Sequence, residues 1–247
     1  MNKNDEKTYS NCYIAFLDIL GFKELVKKSN CQEILDIFED IKNPVSMISF
    51  GNKDRSNAQE IPASRQIKTK VMSDSICFYI DSQLPNSLFC LLACCATFQA
   101  KLLRRSTPIL TRGAIVLGDI YAEGDITFGP GMTQAYLLEE GGAKYPRIII
   151  TKETLLKGLE NISHPQFGRS INELIFCDID KYYAVNWLTM FFGFSSFDEN
   201  NSPIAYFKKI LDHIEHTLSS TTDSSIRDKY LYLDKKTNDY KKCLEKQ

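Results

Sequence analysis

Tyr13-Ile14-Ala15-Phe16-Leu17-Asp18-Ile19-Leu20-Gly21-Phe22 is the stretch that decides how the chain reads. A short apolar run reaches a carboxylate, and a glycine follows three residues later. Such a run, rich in β-formers and closed by glycine, predicts a buried strand over 13–19. A carboxylate at the end of that strand is costly to bury unless it caps a helix or holds a cation. Beyond Gly21, Phe22 to Lys28 reads as a helix start. Ile34, Leu35, Ile37, Phe38 and Ile41 then recur at helical spacing.

Outward from there, Asn43 to Ser64 is polar and carries Pro44, Gly51 and Pro62, so it reads as a loop. Gln66–Met72 and Ile76–Ile80 read as strands joined at Ser73-Asp74-Ser75, a hairpin. Leu84 to Leu103 reads as a strongly apolar, buried helix. Ile109–Ile120 is a strand containing Arg112-Gly113-Ala114-Ile115. Tyr121–Gly131 is read as a glycine-rich loop, and Met132 to Glu140 as a helix. Arg147–Thr151 reads as a strand, Lys152–Leu159 as a helix, and Leu174–Ile179 with Tyr182–Leu188 as a last strand pair. Hairpins interspersed with helices predict an α+β sandwich of ferredoxin-like kind. Its sheet is mixed and mostly antiparallel, with helices mainly on one face. The chain divides into a polar tail over 1–11, a catalytic domain over 12–190 and a C-terminal helical extension over 191–247. The part from Pro203 on reads as about two helices with Tyr230-Leu231-Tyr232 as their apolar stripe.

Composition narrows the function classes. Thirty basic against 31 acidic residues leave a formal charge of −1, with no basic footprint for a nucleic acid. The longest apolar stretch, Leu84–Leu103, is interrupted by Pro85, Asn86, Ser87, Gln99 and Lys101, so no span of a bilayer is expected. The polar Met1–Asn11 lacks the apolar core of a signal peptide, which points to the cytoplasm. Eight cysteines without a CxxC pair read as buried free thiols in a reducing compartment. His213 and His216 lie three apart on a helical pattern and read as a solvated face; His164 stands alone. A P-loop enzyme is disfavoured by the lack of Gly-x-x-x-x-Gly-Lys. A Ser-His-Asp or Cys-His hydrolase is disfavoured because the histidines sit in late, polar segments.

Asp18 and Asp74 are the candidate chemistry. If strand 13–19 lies beside the hairpin, both carboxylates meet at one sheet edge. There they can hold two hard cations with positions open for phosphate oxygens. Such a pair serves in-line phosphoryl displacement. The Ile19 carbonyl is a further oxygen ligand, and the Leu20-Gly21-Phe22 turn offers backbone N–H groups to phosphate. Taken alone, Asp18 reads equally as a helix cap and Asp74 as a turn residue. Phe128-Gly129-Pro130-Gly131-Met132-Thr133-Gln134-Ala135-Tyr136-Leu137-Leu138-Glu139 is a loop-to-helix junction whose first turn can meet an anion or a base.

The ordered set Ala15 to Phe22, Ser73-Asp74-Ser75, Arg112 to Ile115, Phe128 to Glu139 and Tyr145-Pro146-Arg147-Ile148 resembles the class III nucleotidyl cyclases. More narrowly it resembles the bacterial pyrimidine cyclases of the Pycsar anti-phage systems, over roughly residues 12–150. The resemblance implies Asp18, Asp74 and the Ile19 carbonyl as ligands of two Mn2+ or Mg2+ ions. It implies Phe16, Ile19, Leu20, Gly21 and Phe22 around the triphosphate. It implies attack of the ribose 3′-hydroxyl on the α-phosphate of UTP or CTP, releasing diphosphate. It further implies a homodimer with sites at the subunit interface, and a separate effector activated by the cyclic nucleotide.

The sequence departs from that family where its helix carries an Asn and an Arg: here those places are Thr133 and Leu137. Neither can stabilise charge. Arg112 is the candidate replacement, with Arg147 behind it as a nucleotide-binding residue. Lys70 falls where purine cyclases read the base, and Pro130 replaces their selectivity aspartate. The departures motivate an alternative, a catalytically inactive nucleotide-binding sensor or partner-binding module. A diguanylate-cyclase-like enzyme is a third reading, lowered by the lack of a Gly-Gly-Asp/Glu-Glu-Phe turn.

Overall fold

The computed structural model describes residues 7–42, 66–163, 171–178, 180–190 and 203–244. The loop expected over Asn43–Ser64 and His164 lie outside them. The first strand, β1, spans Ser10–Ile19 and α1 spans Phe22–Lys28, with α2 over Cys31–Lys42. Then follow β2 (Lys68–Met72), β3 (Ser75–Asp81), α3 (Ser87–Leu103), β4 (Thr111–Glu123) and β5 (Ile126–Phe128). The chain continues through α4 (Pro130–Gly142), β6 (Ile148–Ile150), α5 (Lys152–Glu160), β7 (Ile175–Cys177) and β8 (Tyr183–Val185). Two long helices, α6 (Pro203–Ser220) and α7 (Ser224–Leu244), come last.

The sheet runs β2-β3-β1-β4-β6-β8-β7, with β5 hairpinned onto β4. Among the described residues only β4 and β6 pair in parallel; the other pairings are antiparallel. The expected α+β class with a mixed, mostly antiparallel sheet is therefore what the chain forms. The alternation along β1 explains the layers. Tyr13, Ala15, Leu17 and Ile19 join Ile76, Phe78 and Ile80 beneath α3, in the larger core. Cys12, Ile14 and Phe16 point the other way with Cys77, Tyr79 and Val116, against Ala135 of α4. Nearly all of α3 is buried, which accounts for its lack of a polar face. Cys90, Cys94 and Cys95 sit there as buried free thiols. Burial pushes Cys90 up to about 12.

Backbone approach fixes α4 on the sheet. A Cβ on Gly131 would lie 2.6 Å from Ile14 Cδ1 and 2.8 Å from the carbonyl carbon of Gly118. Gly131→Val is expected to lower stability by about 1–3 kcal/mol, through overpacking, seen as a lower thermal midpoint.

Four expectations are corrected. Ser10 and Asn11, placed in the N-terminal tail, begin β1. Tyr121–Gly131 is not a loop: β4 runs on to Glu123 and turns at Gly124 into β5. The two glycines flanking a three-residue strand masked it. The long helix starts at Ser87, after Asn86 in the left-handed region with φ 63. Tyr230-Leu231-Tyr232 is not a stripe, because consecutive residues diverge around a helix. Leu231 is exposed, while Leu233 and Tyr230 join Phe207, Ile210, Ile214 and Trp187 in a second core. That core also takes Leu110 and Leu20, so α6 and α7 pack under the start of β4. His213 bonds Tyr230 across the pair, 3.1 Å between ring Nε2 and hydroxyl. Among the described residues no helix is long and apolar enough to cross a membrane.

Candidate active site

Strand pairing brings the two aspartates together. In the β1–β3 register Asp18 faces Ser75, and the Ile19 N–H donates to the Asp74 carbonyl at 3.0 Å. Asp74 sits in a two-residue turn, with Ser73 at φ 60. A positive φ at the first position suits the right-handed twist of hairpins. Gly21 adopts φ 76 at the mouth of α1, a conformation that favours glycine. Its carbonyl accepts from Glu24 and Leu25. Phe22 packs edge-on to Phe38. Phe16 is nearly buried, meeting Tyr136 edge-on at 5.8 Å. Leu20 is bonded through its N–H to the Leu110 carbonyl, 2.9 Å away.

On the other flank of β1, Arg112 stands opposite Asp18 in the β4 register. Its Nε donates to Asp18 Oδ2 at 3.2 Å. The same nitrogen lies 2.7 Å from Glu139 Oε1, which sits off the N–H direction and makes an ion pair without a directed hydrogen bond. Asp18 and Arg112 are about a quarter exposed, whereas the Glu139 side chain is 3% exposed. Burial pushes the Glu139 carboxyl up, against the pull of Arg112. Among the described residues no hydrogen bond engages the terminal guanidinium nitrogens of Arg112. They are the group at this rim best able to meet phosphate charge.

Glu139 carried no role in the sequence reading. The signal was present: it lies four residues after the buried Ala135, hence on the buried face of α4, where a carboxylate needs a cation. Glu139→Gln leaves Arg112 to Asp18 alone. A cation must then displace a better-paired guanidinium. If the rim holds Mn2+, the concentration for half-maximal binding is expected to rise roughly threefold to fivefold, as a metal titration would show.

Two other candidates are placed elsewhere. Arg147 is fully buried, with its guanidinium bonded to Asp178 and Asp180. Burial opposes its charge, but the bonds to Asp180 and Asp178 outweigh that and hold its pKa above the ordinary value. A guanidinium so engaged is not available to a nucleotide. The expectation for Arg147 is corrected accordingly. Lys70 lies on β2, and its ammonium donates to the Gly124 carbonyl at the β4–β5 turn. That bond ties Lys70 to the β4–β5 turn. Thr133 and Leu137 are exposed on α4, where with Pro130, Gln134 and Leu138 they line a shallow apolar groove.

The donor set at the rim fits hard cations completed by substrate. Asp18, Asp74 and the adjoining Ile19 carbonyl are all oxygen donors. Among the described residues no third His, Cys, Asp or Glu joins them. That matches Mg2+-type sites built on one or two carboxylates plus phosphates. Two depressions lie elsewhere, one on α4 and one lined by Ser10, Cys12, Lys68 and Asp81. The partial exposure of Asp18 and Arg112 opens the rim to solvent.

No family model matches the chain, and no curated protein matches it. Solved structures do. The monomeric guanylyl cyclase domain of a RhoGC fusion protein from the aquatic fungus Blastocladiella emersonii is 13% identical. It covers 72% of this chain and 96% of its own, with a TM-score of 0.46. The catalytic core of a rhodopsin-guanylyl cyclase with converted specificity, in complex with ATPαS, is 11% identical over 72% and 97%, at 0.46. An adenylate/guanylate cyclase/hydrolase from Silicibacter pomeroyi is 18% identical over 72% and 95%, at 0.43.

Proposed function

We propose that the chain is a nucleotide cyclase that converts a pyrimidine nucleoside triphosphate, UTP ahead of CTP, to its 3′,5′-cyclic nucleotide and diphosphate. The observation that supports this most is the convergence of Asp18 and Asp74 on adjacent strand ends, with Arg112 beside Asp18. Asp18, Asp74 and the Ile19 carbonyl would hold two divalent cations, Mn2+ or Mg2+. Bound there, such ions would lower the pKa of the ribose 3′-hydroxyl and offset triphosphate charge. With a cation there, Asp18 would release Arg112 and Glu139 would retain the guanidinium. Arg112 then turns its terminal nitrogens to the phosphates, where negative charge grows as the 3′-oxygen attacks in line. The Leu20-Gly21-Phe22 turn orients the triphosphate.

The open rim and the apolar α4 groove support a homodimer in which a second copy encloses the nucleotide. Pro130, in place of the purine-type aspartate, supports a pyrimidine base. By the same resemblance the product is a second messenger of anti-phage defence in the cytoplasm, read by a separate effector. Thr133 and Leu137 favour the second reading, a cyclase-like sensor that binds nucleotide without turnover. Incubation with each of the four NTPs and Mn2+, followed by mass spectrometry, separates them. Cyclic UMP or CMP is expected. Tight binding with no cyclic product from any nucleotide would support the sensor instead.

A further inference from the structure

We infer that helix α7 is a positioning element for Arg112, acting through a buried ionic cluster around Asp178; the inference rests on the cyclase reading above. The Asp178 side chain has no exposure. It receives the Tyr232 hydroxyl at 2.6 Å and lies 3.0 Å from Lys236 Nζ, both from α7. Arg147 bonds it from the start of β6. Tyr232 also stacks on Tyr145, with centroids 4.7 Å apart and planes within 6°. Asp180 joins the cluster through its own bond to Arg147.

The backbone carries the link onward. The Arg147 carbonyl accepts the Gly113 N–H at 3.0 Å. Gly113 follows Arg112 and is pressed onto β1: a Cβ there would lie 2.4 Å from Leu17 Cδ2 and 2.6 Å from the Phe16 carbonyl oxygen. Where Arg147 sits therefore sets where β4 meets β1, and so how Arg112 addresses Asp18. The apolar side of the same helix pair reaches this rim too, through Leu110 and Leu20. A buried charged cluster is often no more stabilising than an apolar replacement of equal volume. Its contribution here is to geometry: directed bonds admit one arrangement of β6 against α7, where apolar contacts admit several.

A double-mutant cycle tests this. Tyr232→Phe and Lys236→Met remove the two α7 contacts to Asp178 with little change of bulk. Each is made in the full chain, alone and with Arg112→Ala. Binding of 3′-deoxy-UTP and 3′-deoxy-CTP, which lack the attacking hydroxyl, is measured calorimetrically in Mn2+. The temperature is one at which circular dichroism shows every variant folded. Each α7 substitution is expected to weaken binding about fivefold or more with Arg112 present, and less than about twofold without it. Exchange of the Gly113 amide is expected to quicken in both single variants. Equal binding penalties in the two backgrounds, no penalty with Arg112 present, or unaltered Gly113 protection would overturn the inference. A wild-type chain that binds neither triphosphate would overturn the functional reading, and this inference with it.

Discussion

Asp18→Ala and Asp74→Ala are each expected to reduce cyclic-nucleotide formation by about a thousandfold or more, while leaving the fold intact. Each would remove one of the two side-chain oxygen ligands proposed for the cations, a loss of roughly 4 kcal/mol of transition-state stabilisation through weakened charge neutralisation. The fold should survive for separate reasons. Asp18 is partly exposed and faces Arg112, whose second carboxylate, Glu139, remains. Asp74 contributes its backbone carbonyl to Ile19, and an alanine keeps that bond. Turnover by mass spectrometry and the far-ultraviolet spectrum together check both halves. A variant with wild-type turnover would remove that aspartate from the site.

Arg147→Leu is expected to destabilise the chain by about 3–5 kcal/mol. The substitution leaves Asp178 buried without the guanidinium that bonds it. Urea unfolding followed by fluorescence would give the difference. A change under 1 kcal/mol would show that the cluster relaxes readily and does not lock β6. This loss is one of stability, whereas the aspartate variants lose chemistry in a folded protein.

How far the sequence foretold these sites depends on how local the physics is. The place of Asp18 near a strand end was legible because an apolar strand ending in a carboxylate is a local anomaly. Asp74 was legible because hairpin turns have short, polar signatures. Their meeting followed once β1 and β3 paired, which the apolar alternation required. Arg147 was misread because its partners lie far along the chain: Asp178, Asp180 and Tyr232 declare themselves only when β6, the residues after β7 and α7 assemble. Nothing in Tyr-Pro-Arg-Ile distinguishes a buried arginine from one that meets a ligand. Lys70 was out of reach for the same reason, since its acceptor is a backbone carbonyl in a hairpin read as loop. Glu139 fell between the two cases. Its helical phase was readable, but its cation came from a strand 27 residues earlier in the chain (139 − 112 = 27). The stripe assigned to Tyr230-Leu231-Tyr232 failed on phase alone, and Leu233 was the residue to choose.

Crystals grown with Mn2+ and a 3′-deoxynucleoside triphosphate, measured at the manganese absorption edge, test the central claim most directly. Two anomalous peaks within coordination distance of both the Asp18 and Asp74 carboxylates are expected, with Arg112 turned from Asp18 toward the phosphates. Manganese bound elsewhere, or a triphosphate seated with neither aspartate near a metal, would contradict it.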